Sequence, residues 1–348
     1  MTSPGLDLSR IRSVDELEAV LSQPYPEDVE AARGLQEGLL VLGAGGKMGP
    51  TLVRRAVTAF RQAGVQAPVI AVSRFSDAAQ RRRLEEWGAQ TIAADLMEES
   101  ELAALPRLPN VIFMAGMKFG STGAEEMTWA MNAYLPGRIA QTFRQSRIVA
   151  FSTGNVYPLV SPESGGSRED SPVGPVGEYA QSCLGRERVL RYFSVRNNTP
   201  MCLLRLNYAV EARYGVLLDI ATKVWEGAPV PLAMGYANVI WQGDANSVCL
   251  RSFQLCDVPA AILNLTGPGI LSVRRLAQEF GRRLGRDVIF EGEEAPTALL
   301  NDASRCHRIF GRPRVGLEPM LDLVAAWVRM GGATLGKPTR FEARDGRF

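Results

Sequence analysis

From Leu39 to Leu206, short apolar runs alternate with segments whose apolar residues recur at helical spacing. The runs are Leu39–Leu42, Pro68–Ser73, Gln90–Ala94, Asn110–Ala115, Arg147–Ser152 and Met201–Leu206. Near-continuous apolar runs of this length read as strands covered on both faces. The segments between them predict helices over Arg54–Gln62, Asp77–Trp87, Glu125–Gln145 and Glu178–Phe193. Strand and helix in alternation imply an α/β fold, a doubly wound parallel sheet with helices on both faces.

The pattern is different at either end. Ser13 and Glu16 form a capping box ahead of the apolar stripe Leu17, Val20 and Leu21, and Pro24 and Pro26 stop that helix. With a second short helix over 27–35, residues 1–38 read as an N-terminal helical extension, a packing or dimer-contact element. Beyond Leu206 the elements are shorter and mixed. Tyr214–Trp225, Ala245–Gln254, Val273–Leu284 and Pro319–Met330 read as helices, and Ala261–Leu265 as a strand. The organisation expected is a dinucleotide-binding domain over 39–200, to which 201–210 and 237–256 return. A smaller, discontinuous C-terminal substrate domain then spans most of 211–330. The Pro-, Gly- and Ser-rich loop 157–177 reads as an irregular segment over the site, and the Gly-rich, charged tail 331–348 as a fraying end.

Composition removes several function classes. The chain has 348 residues, 46% hydrophobic and 22% charged, the balance of an ordinary globular protein with room for about two domains. A net charge of +2 points to neither nucleic acid nor a membrane surface as partner. Met1–Leu8 carries neither a basic nor an apolar stretch, and no apolar run reaches the ~18 residues of a membrane span, so a cytoplasmic protein is expected. Cys183, Cys202, Cys249, Cys256 and Cys306 are scattered without metal-ligand spacing, as expected of core thiols in a reducing compartment, and no metal site is expected. His307, the sole histidine, sits in an Arg-flanked segment and reads as a surface residue. Acid–base chemistry built on histidine is therefore excluded.

The first strand runs into Gly43-Ala44-Gly45-Gly46-Lys47-Met48-Gly49, and a helix follows. Glycines three apart in a strand–turn–helix let the backbone approach a pyrophosphate, which the helix N-terminus attracts. This gives the sheet a Rossmann-like reading, with ligands at the carboxyl ends of its strands. Those ends supply the other candidates. Ser73-Arg74 follows the second strand, and an arginine there suits the 2′-phosphate of NADP where a carboxylate would suit NAD. Asp95-Leu96 follows the third strand and either brackets adenine or caps the next helix. Ala115-Gly116 follows the fourth and allows backbone approach to a ribose. Lys118 and Phe119 come next, with Lys118 a cation near the mouth of the site. Asn132 places an amide on an apolar helix stripe, as a buried tether or as part of a proton relay.

Ser152-Thr153-Gly154-Asn155-Val156-Tyr157 after the fifth strand, Tyr179 in the next helix and Arg205-Leu206-Asn207 after the sixth complete a pattern. Over about Leu39–Met330 the chain resembles the extended short-chain dehydrogenase/reductase superfamily, specifically its NAD-dependent epimerase/dehydratase family. The resemblance implies that Thr153 polarises a substrate oxygen and that Tyr179 is the acid–base residue, with Asn132 and Lys118 as support. It implies that Asn207 belongs to the cofactor and substrate wall. The expected activity is an NADP-linked epimerase, dehydratase or reductase acting on a sugar or nucleotide-sugar-like substrate. NAD is the alternative cofactor, and a homodimer through helices 125–145 and 178–193 is expected.

One position departs from the family. Its Tyr-x-x-x-Lys motif sets an ammonium one helical turn from the tyrosine, whereas here Tyr179 is followed by Cys183. A neutral thiol supplies no charge to lower a phenol pKa from about 10. Three readings are open: Lys118 supplies the cation, Arg186 supplies it from nearly the same helix face, or the fold binds nucleotide without redox turnover.

Overall fold

The computed structural model describes residues 8–118, 120–337 and 339–347. Residues 1–7, which carry most of the leader argument, lie outside it, as do Phe119 of the fourth strand-end loop and Pro338 and Phe348 of the tail. β1 (Leu39–Leu42) is buried at every residue, and it lies centrally because β2 (Val69–Ser73) and β3 (Gln90–Ala93) extend the sheet on one side. On the other side follow β4 (Asn110–Phe113), β5 (Arg147–Thr153) and β6 (Met201–Leu206), all in parallel register. The winding reverses between β1 and β4, which opens a crevice at the carboxyl ends of those two strands. The strand Ala261–Leu265 pairs in parallel with β6 and becomes the seventh strand. This corrects its sequence assignment to the substrate elements. Leu263 and Leu265 are fully buried in the sheet core, a pairing too non-local for the chain pattern to reveal.

The N-terminal extension forms α1 (Val14–Ser22) and α2 (Pro26–Arg33), and the expected capping box of Ser13 and Glu16 is present. Leu17 and Leu21 of α1 join the core of the C-terminal lobe, while Ala32 of α2 joins the sheet core. The extension thus ties the two lobes together. A fully buried Asp28–Arg55 ion pair, with Ser247 donating to the same carboxylate, fixes α2 on the first helix of the sheet domain.

That helix, α3 (Gly49–Ala63), shares one face of the sheet with α4 (Ala78–Glu86). Each large apolar side chain it buries, such as Leu52 and Phe60, stabilises the fold by roughly 1.5–3 kcal/mol. The opposite face carries α5 (Glu99–Ala104) and the segment predicted as one helix over 125–145. That segment is instead α6 (Glu125–Trp129), a π turn (Ala130–Tyr134) and α7 (Leu135–Thr142). Pro136 has no N–H to give to the carbonyl of Asn132, one helical turn back, so the regular ladder cannot continue there. α8 (Gly177–Asn197) packs beside them.

The C-terminal lobe is built on α9 (Val216–Glu226), and the chain then returns through α10 (Gln242–Arg251) to the α3 face of the sheet. α11 (Val273–Leu284), α12 (Ser304–Phe310) and α13 (Leu317–Arg329) follow; α11 and α13 pack on α9, and α12 lies against the seventh strand. No helix among the described residues is long and apolar enough to cross a membrane.

Candidate active site

The glycine turn lies at the crevice, and its glycines serve different ends. A Cβ on Gly43 would fall 2.6 Å from the Ala115 nitrogen, on Gly45 2.4 Å from Ser73 Oγ, and on Gly49 2.1 Å from the Ala44 carbonyl oxygen. Those three are demanded by the fold's own packing, and Gly43 adds a positive φ of 88°. Gly46 is different. A Cβ there would meet nothing closer than the Gly43 oxygen at 3.4 Å, and the residue is exposed on the wall of the cleft. Its missing side chain leaves room for an occupant rather than for a neighbour. Beyond it α3 starts at Met48 without a side-chain cap, so its dipole end faces the cleft undressed. Lys47 reaches across to donate to the Ala209 carbonyl at 2.6 Å and lies 3.9 Å from the Tyr214 ring centre. Burial lowers its ammonium to about 7.

The cleft has a volume of about 250 Å³ and a wall braced by Arg186. Its guanidinium donates to the carbonyls of Asn132 (3.2 Å), Phe151 (2.7 Å) and Ala115 (3.1 Å), and to Asn132 Oδ1 (2.9 Å). The Asn132 carbonyl is the one that Pro136 leaves without its helical donor, so the π turn and the arginine are two halves of one arrangement. The Asn132 amide is also engaged, accepting from Met117 N and donating to Met117 O and Ser182 Oγ. Asn132 therefore tethers the β4 loop to α8. A Cβ on Gly116 would fall 2.4 Å from an Arg186 nitrogen, so this glycine makes way for the arginine.

Tyr179, Thr153 and Cys183 meet on the floor of the cleft. Thr153 donates to the phenol oxygen, and the phenol in turn pairs with the Cys183 sulfur. Burial holds the phenol well above its ordinary value of 10; Cys183 pushes the same way, and Arg186 acts against it. Burial also raises the Cys183 thiol, which keeps it protonated. Lys118 Nζ lies 6.0 Å from the Tyr179 ring centre and 5.8 Å from that of Tyr208, and donates to the Thr339 carbonyl at 3.3 Å. Burial lowers Lys118 to about 8. Of the two cations considered in place of the motif lysine, Arg186 opposes the rise of the phenol, and Lys118 lines the cleft between Tyr179 and Tyr208 while bound to the Thr339 carbonyl.

Other expectations resolve individually. Asp95 Oδ1 accepts from Met97 N, the helix-cap alternative, and Leu96 is buried in the core; neither residue lines the cleft. Ser73 lies against Gly45, and Arg74 is 77% exposed with a 3.9 Å ion pair to Asp95. Ala44 is buried behind the turn, and Ala115 presents its carbonyl to Arg186. Asn207 lines the cleft but is tied to Asn301 Oδ1 at 3.2 Å. Tyr157 is a core residue, accepting from Arg205 and donating to Asn264. His307 is half-buried against the Thr266 carbonyl, which corrects its surface reading. The fraying tail is corrected as well. Phe341 is 1% exposed and Arg344 is anchored on Thr297, because one aromatic and one arginine find partners on a distant lobe. Tyr208, next to Asn207 in the segment that the resemblance implies as the cofactor and substrate wall, lines the cleft at a left-handed φ of 47°.

A glycine turn at the switch point of a doubly wound sheet, with a threonine–tyrosine pair beside it, defines an extended short-chain dehydrogenase/reductase. The chain belongs to the NAD dependent epimerase/dehydratase family, whose sequence profile matches residues 39–223. No curated protein matches it in sequence. Among solved structures it is similar to a variant of UDP-glucuronic acid 4-epimerase from Bacillus cereus, in complex with a fluorinated UDP-glucuronic acid and NAD. That match has 14% identity and a TM-score of 0.71, covering 84% of this chain and 99% of that one. It is similar also to dTDP-glucose 4,6-dehydratase from Streptomyces venezuelae with NAD bound, at 21% identity, TM-score 0.70, and 84% and 97% coverage. A third is UDP-glucose 4-epimerase from Thermotoga maritima with UDP-glucose, at 16% identity, TM-score 0.70, and 84% and 99% coverage.

Proposed function

We propose that this chain is an NADP-linked oxidoreductase of the epimerase/dehydratase kind, acting at a hydroxyl-bearing carbon of a sugar-like small molecule. The observation that carries the reading is the Thr153–Tyr179–Cys183 chain on the floor of a glycine-cradled cleft. The residues fit a dinucleotide. Gly46 leaves open space, the uncapped start of α3 favours a pyrophosphate, and Gly116 and Asn207 line the further cleft. Arg74 at the end of β2, exposed and with no carboxylate in its place, favours a 2′-phosphate. When bound, the dinucleotide supplies hydride exchange.

The chain's own groups handle the proton. Tyr179 is held protonated by burial, so it donates to a substrate oxygen in reduction and must be relieved of its proton in oxidation. Thr153 holds the phenol oxygen with its one hydroxyl proton and polarises the substrate oxygen by turning that proton from the phenol to it. Arg186 offsets part of the cost of the phenolate from beneath, and Lys118 presents a cation to the substrate side. The test is nicotinamide absorbance with hydroxylated substrates in wild type and Tyr179→Phe. A loss of about 10²–10⁴-fold in kcat with cofactor affinity retained is expected. A variant as active as wild type refutes the assignment.

Cys183 in the motif-lysine position, together with the raised phenol, favours a second reading, a nucleotide-binding protein without turnover. Saturable cofactor binding with no hydride transfer across a broad panel of hydroxylated compounds would select it. A homodimer accompanies the first reading, through the exposed Met127, Trp129, Tyr134, Tyr192 and Val195 along α6 to α8. Light scattering on the purified protein checks the mass.

A further inference from the structure

We infer that residues 339–347 form a fixed wall across the substrate end of the cleft, and that the space behind it takes a small, free polyhydroxylated compound rather than a nucleotide-linked sugar. The inference rests on the proposed function and divides its substrate class. The segment is fastened at points far apart in the chain. Thr339 donates from its N–H (2.8 Å) and hydroxyl (2.5 Å) to Asp219 on α9, and its carbonyl accepts from Lys118. Phe341 is buried in the core of the C-terminal lobe. Arg344 donates to the carbonyls of Thr297 (2.6 Å) and Ala233 (3.1 Å) and to Thr297 Oγ1 (2.8 Å).

The far end rests on the helix that carries Tyr179. Gly346 lies flat on Val176 and Gly177 at the start of α8. A Cβ on Gly346 would sit 2.2 Å from the Val176 oxygen, and one on Gly177 2.6 Å from the Gly346 oxygen. Both glycines hold positive φ, 73° and 80°. Two backbones that exclude each other's side chains mark a seated contact. The wall therefore runs from α9 over Lys118 to the start of α8.

What it encloses is small. Ala343, Arg344 and Gly346 roof a chamber of about 30 Å³ that shares Asn155 and Tyr208 with the main cleft. That holds about one water molecule and leaves no room for the base or diphosphate of a nucleotide-linked sugar, so the compound lies in the main cleft, short of the wall. Charge argues the same way. Around Lys118 stand the carboxylates of Asp219 and Glu342, and the Arg344 guanidinium is spent on Thr297 and Ala233. A diphosphate would find carboxylates there and the Arg344 fork already committed, whereas hydroxyl groups suit mixed charges and carbonyls.

The test sets free D-glucose, D-gluconate and D-sorbitol against UDP-glucose and dTDP-glucose, on the full chain with cofactor. Hydride transfer and ligand-induced thermal shift are both read. At least about tenfold higher kcat/KM, or a thermal shift confined to a free compound, is expected. Preference for either nucleotide sugar overturns the inference, as does failure of every free compound to shift or turn over a chain that binds cofactor. A chain that binds no cofactor counts against the proposed function instead, and a UDP-glucose shift without cofactor would then still overturn the wall. Gly346→Val unseats the contact without touching the core. Faster amide exchange over 339–345 and a KM for the free compound raised about tenfold are expected, with the melting temperature held. Unchanged exchange and KM would overturn the wall, and Arg344→Ala repeats the test from its other anchor.

Discussion

Gly46→Ala separates the role of the cleft from the stability of the fold. The added Cβ meets only the Gly43 oxygen, at 3.4 Å, and the residue's backbone is not in the left-handed region, so no internal clash follows. Stability is expected to hold, or to rise by the ~0.4–1 kcal/mol that loss of unfolded-state freedom gives. If Gly46 faces the pyrophosphate, the methyl displaces it from one backbone N–H donor. At ~1.5–3 kcal/mol for a hydrogen bond to a charged group, dinucleotide affinity falls about 10–150-fold. Thermal unfolding and cofactor titration by fluorescence measure the two effects on one sample. Gly49→Ala is the contrast, since its Cβ would lie 2.1 Å from the Ala44 oxygen and must disrupt the turn itself. A Gly46→Ala protein that keeps both its melting temperature and wild-type cofactor affinity would refute the placement of the phosphates.

Arg74→Ala should weaken NADP binding by about tenfold while leaving NAD within about twofold; equal losses for both would remove the 2′-phosphate assignment. Lys118, lowered to about 8, is charged below that pH and loses its proton as pH rises through it. Reduction, in which Tyr179 is the protonated donor and Lys118 polarises the carbonyl oxygen, should therefore fall off above about pH 8, and Lys118→Arg should carry that limb upward; a limb that stays in place clears Lys118 of the role. Glu187 accepts from Arg205 at 2.7 and 2.9 Å and from Ser152 in the core beneath the site. Glu187→Leu leaves a buried guanidinium unpaired and should lower stability by about 3–5 kcal/mol in denaturant unfolding; a loss under about 1 kcal/mol would refute the coupling.

Local chemistry made much of this protein legible in its sequence. Apolar runs placed the strands within a residue or two, and the β1–glycine–α3 unit followed from strand, turn and helix signals that act on neighbouring residues. The family pattern singled out Thr153 and Tyr179, whose side chains meet in the fold, because both sit at fixed offsets from elements that the pattern had already placed. Cys183 in place of lysine was equally visible.

What surrounds Tyr179 in the absence of that lysine was decided in three dimensions. Arg186 acts on the phenol against burial and Cys183, and its position depends on Gly116 after β4 and on the Asn132 carbonyl, to which Pro136 has no N–H to give, in a different helix. The tail shows the same limit. Its glycines and charges read as a loose end, since nothing within residues 331–348 reveals that Asp219, Thr297 and Val176 await it. Periodicity reports what a residue's neighbours in the chain allow. Whether a charge is paired, a glycine crowded or a terminus seated depends on atoms that only the folded chain brings within reach.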